Sequence, residues 1–168
     1  EEFQKNFPKV RLDERPEQLA ASETNLTDLI EYAGQKVRGE DILWTHVTSP
    51  FCDAELYRQS IQEYYLQLKN DFDSLVGVKK FQNFLWDPEK NDLINRSGGR
   101  RWPSTQDLKP LFEVNNAVFL APRQKFLDQK DRLGNRPFLF EMDKIPSLDI
   151  DDEEDYKLAV AVYEGIFR

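Results

Sequence analysis

The sequence predicts a single α/β domain with a mostly parallel sheet. Short apolar runs typical of buried strands alternate along the chain with segments whose apolar residues follow the helical period. The length of 168 residues suits one domain, and fractions of 39% hydrophobic and 12% aromatic residues argue against disorder. We therefore expect residues 1–168 to form one folded unit.

The first predicted helix and strand lie in the amino-terminal third of the chain. Asn25 is a typical N-cap residue, and it introduces a helix that runs to about residue 33, where Gly34 ends it. The largely apolar run 41–47 predicts a buried strand, which the turn residues 48–50 terminate.

The middle of the chain continues the alternation and then departs from it. Asp53 begins a long helix with apolar positions at the helical period, and residues 74–78 predict the next buried strand. Residues 79–114 are basic, aromatic and rich in turn residues, with a strand candidate at 84–86. We interpret this stretch as an insertion that need not belong to the sheet.

The last third adds two strands and two helices. Residues 117–120 predict a strand, and Pro122 is suited to the start of the short helix that follows it. Residues 138–142 predict the final strand. The last helix, from about Asp152, is apolar on several sides, so we expect it to be well covered.

The composition argues against several classes of function and location. The net charge of −8, from 31 acidic and 23 basic residues, argues against general nucleic-acid binding because no positive field attracts phosphate backbones. The single cysteine, Cys52, fits a reducing compartment. No apolar run reaches ~18 residues and no signal peptide is visible, so we expect a soluble, cytoplasmic protein without membrane contact.

An acidic run near the carboxyl end offers the best candidate for a metal site. If 148–151 is extended, Asp149 and Asp151 share one face, where two carboxylates can hold Mg²⁺ together with substrate phosphates. Alternatively, Asp151 caps the last helix and Glu154 completes a capping box. These residues alone leave both interpretations open.

The end of the first strand is a second candidate. Ligands of open α/β sheets bind beyond the carboxyl ends of strands, so the hydroxyls of Thr48 and Ser49 can receive a ligand oxygen. The alternative is a simple strand–helix turn. His46 has no partner histidine or cysteine for zinc and is equally explained as a packed residue at the strand end.

A third candidate is the basic loop at 95–103. Arg96, Arg100 and Arg101 flank two glycines and suit the recognition of carboxylates or phosphates, unless the loop is only a solvated hairpin tip. Gln106 and Asn115 can hydrogen-bond a polar ligand or satisfy backbone groups in turns.

Taken together, these motifs occur in a specific order across nearly the whole chain. They are RPEQLA at 15–20, TSP at 48–50, DSLV at 73–76, TQDL at 105–108, NNAVF at 115–119 and LDID at 148–151. This series resembles the acylneuraminate cytidylyltransferase family, also called CMP-sialic acid synthetases. The resemblance implies a Rossmann-like nucleotidyltransferase sheet with helices on both faces, and a homodimer in which 79–114 is the dimerisation arm.

The resemblance also implies an activity. Members of the family join the anomeric hydroxyl of a nonulosonic acid, a nine-carbon 2-keto acid sugar, to CMP, using CTP and Mg²⁺ and releasing pyrophosphate. Asp149 and Asp151 would hold the metal and act in catalysis, with Arg100 or Arg101 reaching across the dimer. The substrate-binding residues implied by the resemblance are Arg15 (near the cytidine), Ser22, His46, Thr48, Ser49, Gln106 and Asn115.

The sequence departs from the family pattern at three places. His46-Val47 replaces a Gln-Pro pair, and Asn116 replaces a glycine. Residues 1–40 contain no counterpart of the family's triphosphate loop, a segment that holds phosphates with backbone amides and a lysine. We therefore expect the chain to be the carboxyl-terminal portion of such an enzyme, incomplete for activity by itself.

Two alternatives to this function remain. The first is a nucleotidyltransferase that acts on another sugar; the enzymes for the eight-carbon acid Kdo are less similar, because they lack the TSP motif found at 48–50. The second is a catalytically inactive module that retains the fold for binding or dimerisation.

Overall fold

A four-stranded mixed sheet forms the centre of the protein in the computed structural model, which describes residues 2–21 and 24–167. The strands are β1 (Asp41–Trp44), β2 (Ser74–Phe81), β3 (Trp86–Asp87), β4 (Asp92–Leu93), β5 (Leu111–Pro122) and β6 (Pro137–Glu141). The helices are α1 (Glu2–Asn6), α2 (Leu26–Lys36), α3 (Ala54–Gln67), α4 (Arg123–Asp128) and α5 (Glu153–Phe167). The central sheet has the order β1-β5-β2-β6, and β3 pairs with β4 in a separate ribbon.

The strand directions differ from the prediction. β1, β2 and β6 run the same way, but β5 lies between β1 and β2 and is antiparallel to both, so only the β2–β6 pairing is parallel. The prediction of mostly parallel pairing was therefore wrong. The reason is that β5 returns directly alongside β2, with Lys79 opposite Glu113 and Phe81 opposite Leu111. The stretch 79–114 thus begins and ends inside the sheet.

Helices cover both faces of the sheet, as predicted. On one face, Tyr64 of α3 packs in a core with Leu75 and Leu120. On the other face, Ile30 of α2 and Phe126 of α4 pack with residues of β1 and β5. Alternate residues of each strand point to opposite faces, so each strand supplies both cores.

Local chemistry at the helix starts agrees with the sequence. The Asn25 side chain accepts a hydrogen bond from the Thr27 N–H at 3.1 Å, and that of Asp53 accepts one from the Leu56 N–H at 2.8 Å. Both residues are therefore N-caps, as predicted.

Gly34 has a different role from the one predicted. It lies inside α2, which continues to Lys36, so the prediction that Gly34 ends the helix was wrong. A Cβ atom at this position would lie 2.8 Å from the Cβ of Phe126, which shows that the glycine allows α2 to approach α4 closely.

The last helix is far more exposed than predicted. Of the α5 residues whose side chains are described, only Ala159 is buried. Five larger apolar side chains of α5 are each between 39% and 55% exposed: Tyr156, Leu158, Val160, Tyr163 and Ile166. Within the described part of the chain no layer covers this surface, because α2, α3 and α4 pack on the sheet or on each other.

None of the helices within residues 2–21 and 24–167 combines the length and the apolar character needed to cross a membrane.

Candidate active site

A polar pocket of about 240 Å³ lies where β2 ends and β5 begins. In α/β sheets, ligands typically bind at this position, beyond the carboxyl ends of the parallel strands. The residues that line it are Lys79, Glu113, Val114, Asn115, Asn116, Ser147, Leu148, Asp149, Asp151 and Asp155. The pocket is therefore dominated by carboxylate and amide groups.

Asp149 and Asp151 both line this pocket. Ile150, between them, lies on a separate apolar surface together with Pro50 and Phe51, which is the alternation expected of an extended segment. The segment is not part of the sheet, but the Ile150 N–H donates to the Thr48 carbonyl at 2.9 Å. This bond ties the acidic run to the end of β1.

The carboxylate of Asp149 is held ionised. Burial by itself raises the pKa of Asp149, but neighbouring groups, first among them the Thr48 hydroxyl and the Asn116 amide, together outweigh burial and lower it below its usual range. The Asn116 Nδ2 donates to Oδ2 at 2.7 Å. The other oxygen, Oδ1, is buried and has no hydrogen-bond partner in the described part of the protein. A buried carboxylate oxygen without a donor is suited to a cation.

The capping interpretation of Asp151 was wrong by one residue. The N-cap of α5 is Asp152, whose Oδ1 accepts from the backbone N–H groups of Glu154 at 2.8 Å and Asp155 at 3.0 Å. Only the backbone N–H of Asp151 takes part, by donating to the Asp155 Oδ2 at 3.2 Å. The carboxylate of Asp151 therefore takes no part in the cap.

Asn115 forms a wall of the pocket. It is only 6% exposed; its Oδ1 accepts from the Ala117 N–H at 3.2 Å, and its Nδ2 donates to the Ser147 Oγ at 3.3 Å. A Cβ atom at Gly77 would lie 2.6 Å from this Oδ1, so the glycine in β2 makes room for the amide. The contacts observed are those of a residue satisfied within the protein.

Lys79 and Glu113 lie at the same pocket, on facing strands. Their ion pair, with 2.8 Å between Nζ and Oε2, joins β2 to β5. Lys79 is the one cation among the lining residues of this pocket.

His46 lies in a polar cluster near the end of β1. Its Nε2 accepts a hydrogen bond from the indole N–H of Trp44 at 2.8 Å and lies 2.9 Å from a guanidinium nitrogen of Arg132. The indole can only donate, so Nε2 is the acceptor, and the neutral ring carries its proton on Nδ1. Burial and the charge of Arg132 lower the pKa of His46, against the opposing charge of Asp149.

The remaining residues predicted at the strand end contribute differently. Thr48 contacts the acidic run through its carbonyl and lowers the pKa of Asp149. Ser49 is 6% exposed, and its buried Oγ has no hydrogen-bond partner among the described residues. Ser49 does not line the pocket.

Four further predicted residues also lie outside the pocket lining. Arg15 is exposed and its guanidinium donates to the Leu19 carbonyl at 3.5 Å. Arg100 and Arg101 are exposed in the loop that follows β4, and Gln106 is exposed with its carbonyl hydrogen-bonded by Gln82. The structure therefore does not bring these side chains to Asp149 within one copy of the chain. Ser22 lies outside the described residues.

The stretch 79–114 carries an exposed aromatic cluster. Trp102 stacks on Trp86 with 6.4 Å between ring centroids and meets Phe84 edge-on at 5.9 Å. These three side chains are between 42% and 62% exposed. Arg96, proposed above for anion recognition, is instead ion-paired with Asp92.

Sequence reasoning missed several residues that the structure places at the site. Asn116 stood out only as a departure from the family pattern, and Lys79 only as part of a basic stretch. The alternation of β2 places Lys79 on the face opposite exposed Lys80, but the sequence does not reveal which face borders the pocket. Arg132 had no local signal at all, because His46 lies 86 positions away.

Comparisons with known proteins identify relatives of the chain. No protein-family model matches it. It is 25% identical over 146 residues to the N-acylneuraminate cytidylyltransferase of Streptococcus agalactiae serotype III (strain NEM316), a match covering 84% of this chain and 35% of that protein. It is 26% identical over 160 residues to the enzyme of that name from Escherichia coli O18:K1:H7 (strain RS218 / NMEC), covering 89% and 36% respectively. The chain thus spans about a third of the length of these relatives.

A solved structure supports the fold. The crystal structure of 4-diphosphocytidyl-2C-methyl-D-erythritol synthase from Anaerococcus prevotii DSM 20548 superimposes with a TM-score of 0.55 at 10% identity, covering 79% of this chain and 64% of that one. This likeness concerns the fold alone, and it agrees with the predicted Rossmann-like arrangement. The family resemblance predicted from the motifs is confirmed as well: the chain is similar in sequence to N-acylneuraminate cytidylyltransferases.

Proposed function

We propose that the protein to which this chain belongs transfers CMP from CTP to the anomeric hydroxyl of a nonulosonic, sialic-type acid. The acceptor oxygen attacks the α-phosphorus, the bond to the β-phosphate breaks, pyrophosphate leaves and the hydroxyl proton passes to solvent. The observation that carries the proposal is Asp149, which lines the pocket, has a lowered pKa and keeps one carboxylate oxygen without a hydrogen-bond partner among the described residues. The names of the relatives supply the reaction class.

The residues present fit a magnesium ion. Among the described residues, no three His, Cys, Asp or Glu side chains converge on one point, so a site held entirely by protein is not expected here. Mg²⁺ is commonly bound by one or two carboxylates together with substrate phosphates and water, and Asp149 and Asp151 would supply that pair. When bound, Mg²⁺ would neutralise charge on the α-phosphate and the leaving pyrophosphate.

The chain's own residues prepare this site. Asn116 fixes the orientation of Asp149 through its 2.7 Å hydrogen bond, and Thr48 helps to keep that carboxylate ionised. Asn115 and Ser147, whose side chains are hydrogen-bonded to each other at 3.3 Å, form part of the pocket wall.

We also propose a homodimer formed through the arm. The cluster of Phe84, Trp86 and Trp102 is large, aromatic and exposed, and burial against a second copy would remove it from water. In such a dimer, Arg100 and Arg101 would lie on the element that reaches the partner's pocket. We place this dimer in the cytoplasm, where the single cysteine, Cys52, stays reduced.

Pyrophosphate release tests the proposed function. The whole protein is incubated with CTP and, in turn, N-acetylneuraminic, legionaminic and pseudaminic acids, with and without Mg²⁺. Release that requires both a sugar acid and Mg²⁺ is the expected result. Release with a different sugar class would support the other-sugar alternative, and no release with any sugar would support an inactive binding module.

A further inference from the structure

Arg132 is a part-buried cation held by aromatic rings. Its guanidinium carbon lies 3.7 Å from the centroid of the Phe119 ring and 5.9 Å from that of Trp44. One of its nitrogens donates to the Nε2 of His46 at 2.9 Å. Arginine has five N–H donors in a rigid plane. The contacts with the two rings and with His46 therefore orient the guanidinium group and leave most of its donors available.

No carboxylate balances this charge within the described part of the chain. Arg132 forms no ion pair there; Asp131 influences its pKa only through charge, and the Asp131 carboxylate accepts a hydrogen bond from the Leu133 N–H at 3.1 Å. Lys125, another part-buried cation, does have such a partner, since it pairs with Asp73 at 3.1 Å. A desolvated cation without a counterion costs stability, and an anion that binds there would offset this cost.

His46 adds a second donor at the same place. Because its Nε2 accepts from Trp44, the proton of the neutral ring sits on Nδ1 and can be donated. Two residues after His46, the Thr48 carbonyl accepts a hydrogen bond from the Ile150 N–H at 2.9 Å, which joins this part of the chain to the acidic run. The cluster of Trp44, His46 and Arg132 therefore borders the acidic run.

We propose that Arg132 and His46 form an oxyanion-binding subsite beside the Asp149 pocket. The planar fork of Arg132 matches a carboxylate or a phosphate. Only the identity of the anion rests on the proposed function: it is either the carboxylate of the acidic sugar or a phosphate group of CTP.

Binding can be measured without turnover, through the fluorescence of Trp44. The chain has three tryptophans, so the variant W86F/W102F leaves Trp44 as the single reporter. This parent is titrated with N-acetylneuraminate, with its methyl ester, with CTP and with tripolyphosphate. The same titrations are repeated with Arg132→Gln, Arg132→Lys and the control Arg136→Gln. Arg136 lies in the same loop, 5.9 Å from the Phe72 ring.

We expect at least one anion to change the Trp44 emission, and Arg132→Gln to weaken its binding roughly tenfold or more. Arg132→Lys should lose less, and Arg136→Gln should bind like the parent. If N-acetylneuraminate changes the Trp44 emission and its methyl ester does not, the subsite binds the sugar carboxylate. If CTP and tripolyphosphate change the emission, the subsite binds phosphate.

Two results would overturn the subsite: no anion changes the Trp44 emission, or the folded Arg132→Gln and Arg132→Lys proteins bind as tightly as the parent. Circular dichroism establishes that each variant is folded. Anion binding without pyrophosphate release would retain the subsite and reject the proposed function, so the two failures are distinguishable.

Discussion

Asn116 donates a 2.7 Å hydrogen bond from its Nδ2 to the Oδ2 of Asp149, across 33 positions of sequence. This bond orients the carboxylate so that its second oxygen, Oδ1, is left without a partner in the described part of the protein. A side chain that orients a metal-binding carboxylate influences both the affinity for the metal and the rate. Asn116 is therefore a positioning residue for the proposed metal site.

Replacing Asn116 tests this relationship. We expect Asn116→Ala to lower cytidylyl transfer or Mg²⁺ affinity roughly 10- to 100-fold, because Asp149 loses both its orientation and a donor that lowers its pKa. Activity measured against Mg²⁺ concentration and pH checks this, with Asn70→Ala, at an exposed asparagine in the turn that follows α3, as the control. A rate and Mg²⁺ dependence equal to those of the control would remove the positioning role.

A second prediction concerns Asp73 and acid stability. Burial raises the pKa of Asp73, but the N–H groups of Arg136 and Asn135 and the side chains of Lys125 and Ser74 lower it to about 2. Because the folded-state pKa is depressed, this stabilisation is complete above the unfolded pKa near 3.8 and is lost as pH falls toward about 2.

Unfolding measured between pH 2 and pH 7 checks this assignment. Asp73→Asn should destabilise the protein by about 1–2 kcal/mol at pH 7, a value discounted for partial exposure, and should flatten the pH dependence below pH 4. Asp71→Asn, in the adjacent exposed turn, serves as the control. If the stability of Asp73→Asn falls with pH below pH 4 as steeply as that of the parent protein, other carboxylates govern acid unfolding.

Alanine substitutions at Gly34 and, as a control, at Gly165 test the packing of α2 on α4. Gly34→Ala should destabilise the protein by about 1–3 kcal/mol, because the new methyl group meets the Cβ of Phe126. Gly165→Ala places the same methyl group in α5 with no atom within 4 Å, and there it should be neutral or slightly stabilising. Denaturant unfolding of both variants checks this, and equal effects would contradict the close approach of α2 and α4.

The aromatic arm supplies a test of the proposed dimer. Trp102 contacts both Phe84 and Trp86, so Trp102→Ser should remove the centre of the exposed cluster and shift the protein toward monomer. Sedimentation velocity across a concentration series measures the shift. Val47→Ser, at an isolated apolar side chain that is 98% exposed, should leave the association unchanged. A monomeric parent protein would reject the arm-mediated dimer.

Local and pairwise features explain what could be predicted from the sequence. Asn25 and Asp53 cap their helices through bonds to residues two or three positions away, so the sequence contains both partners of each bond. The common face of Asp149 and Asp151 follows from the alternation of an extended chain. The order of motifs carried the family resemblance, which no single motif could have carried.

The remaining features depend on tertiary contacts. The direction of β5 depends on the path of residues 82–110, which no strand pattern encodes. The Arg132–His46 contact and the Asn116–Asp149 bond join residues that are distant in sequence. The apolar residues of α5 led to the prediction that the helix is covered, but in the structure they are exposed. An apolar sequence indicates that a surface favours burial, but it does not indicate what buries that surface.

The most direct test of the proposed function compares two substitutions in the same acidic run. Pyrophosphate release from CTP and the accepted sugar acid, at saturating Mg²⁺, is measured for Asp149→Asn and for Glu154→Gln, an exposed residue outside the pocket lining. The proposed metal role predicts a loss of roughly 100-fold or more for an Asp149→Asn protein that remains folded, and near-normal turnover for Glu154→Gln. Full turnover by a folded Asp149→Asn protein would contradict it.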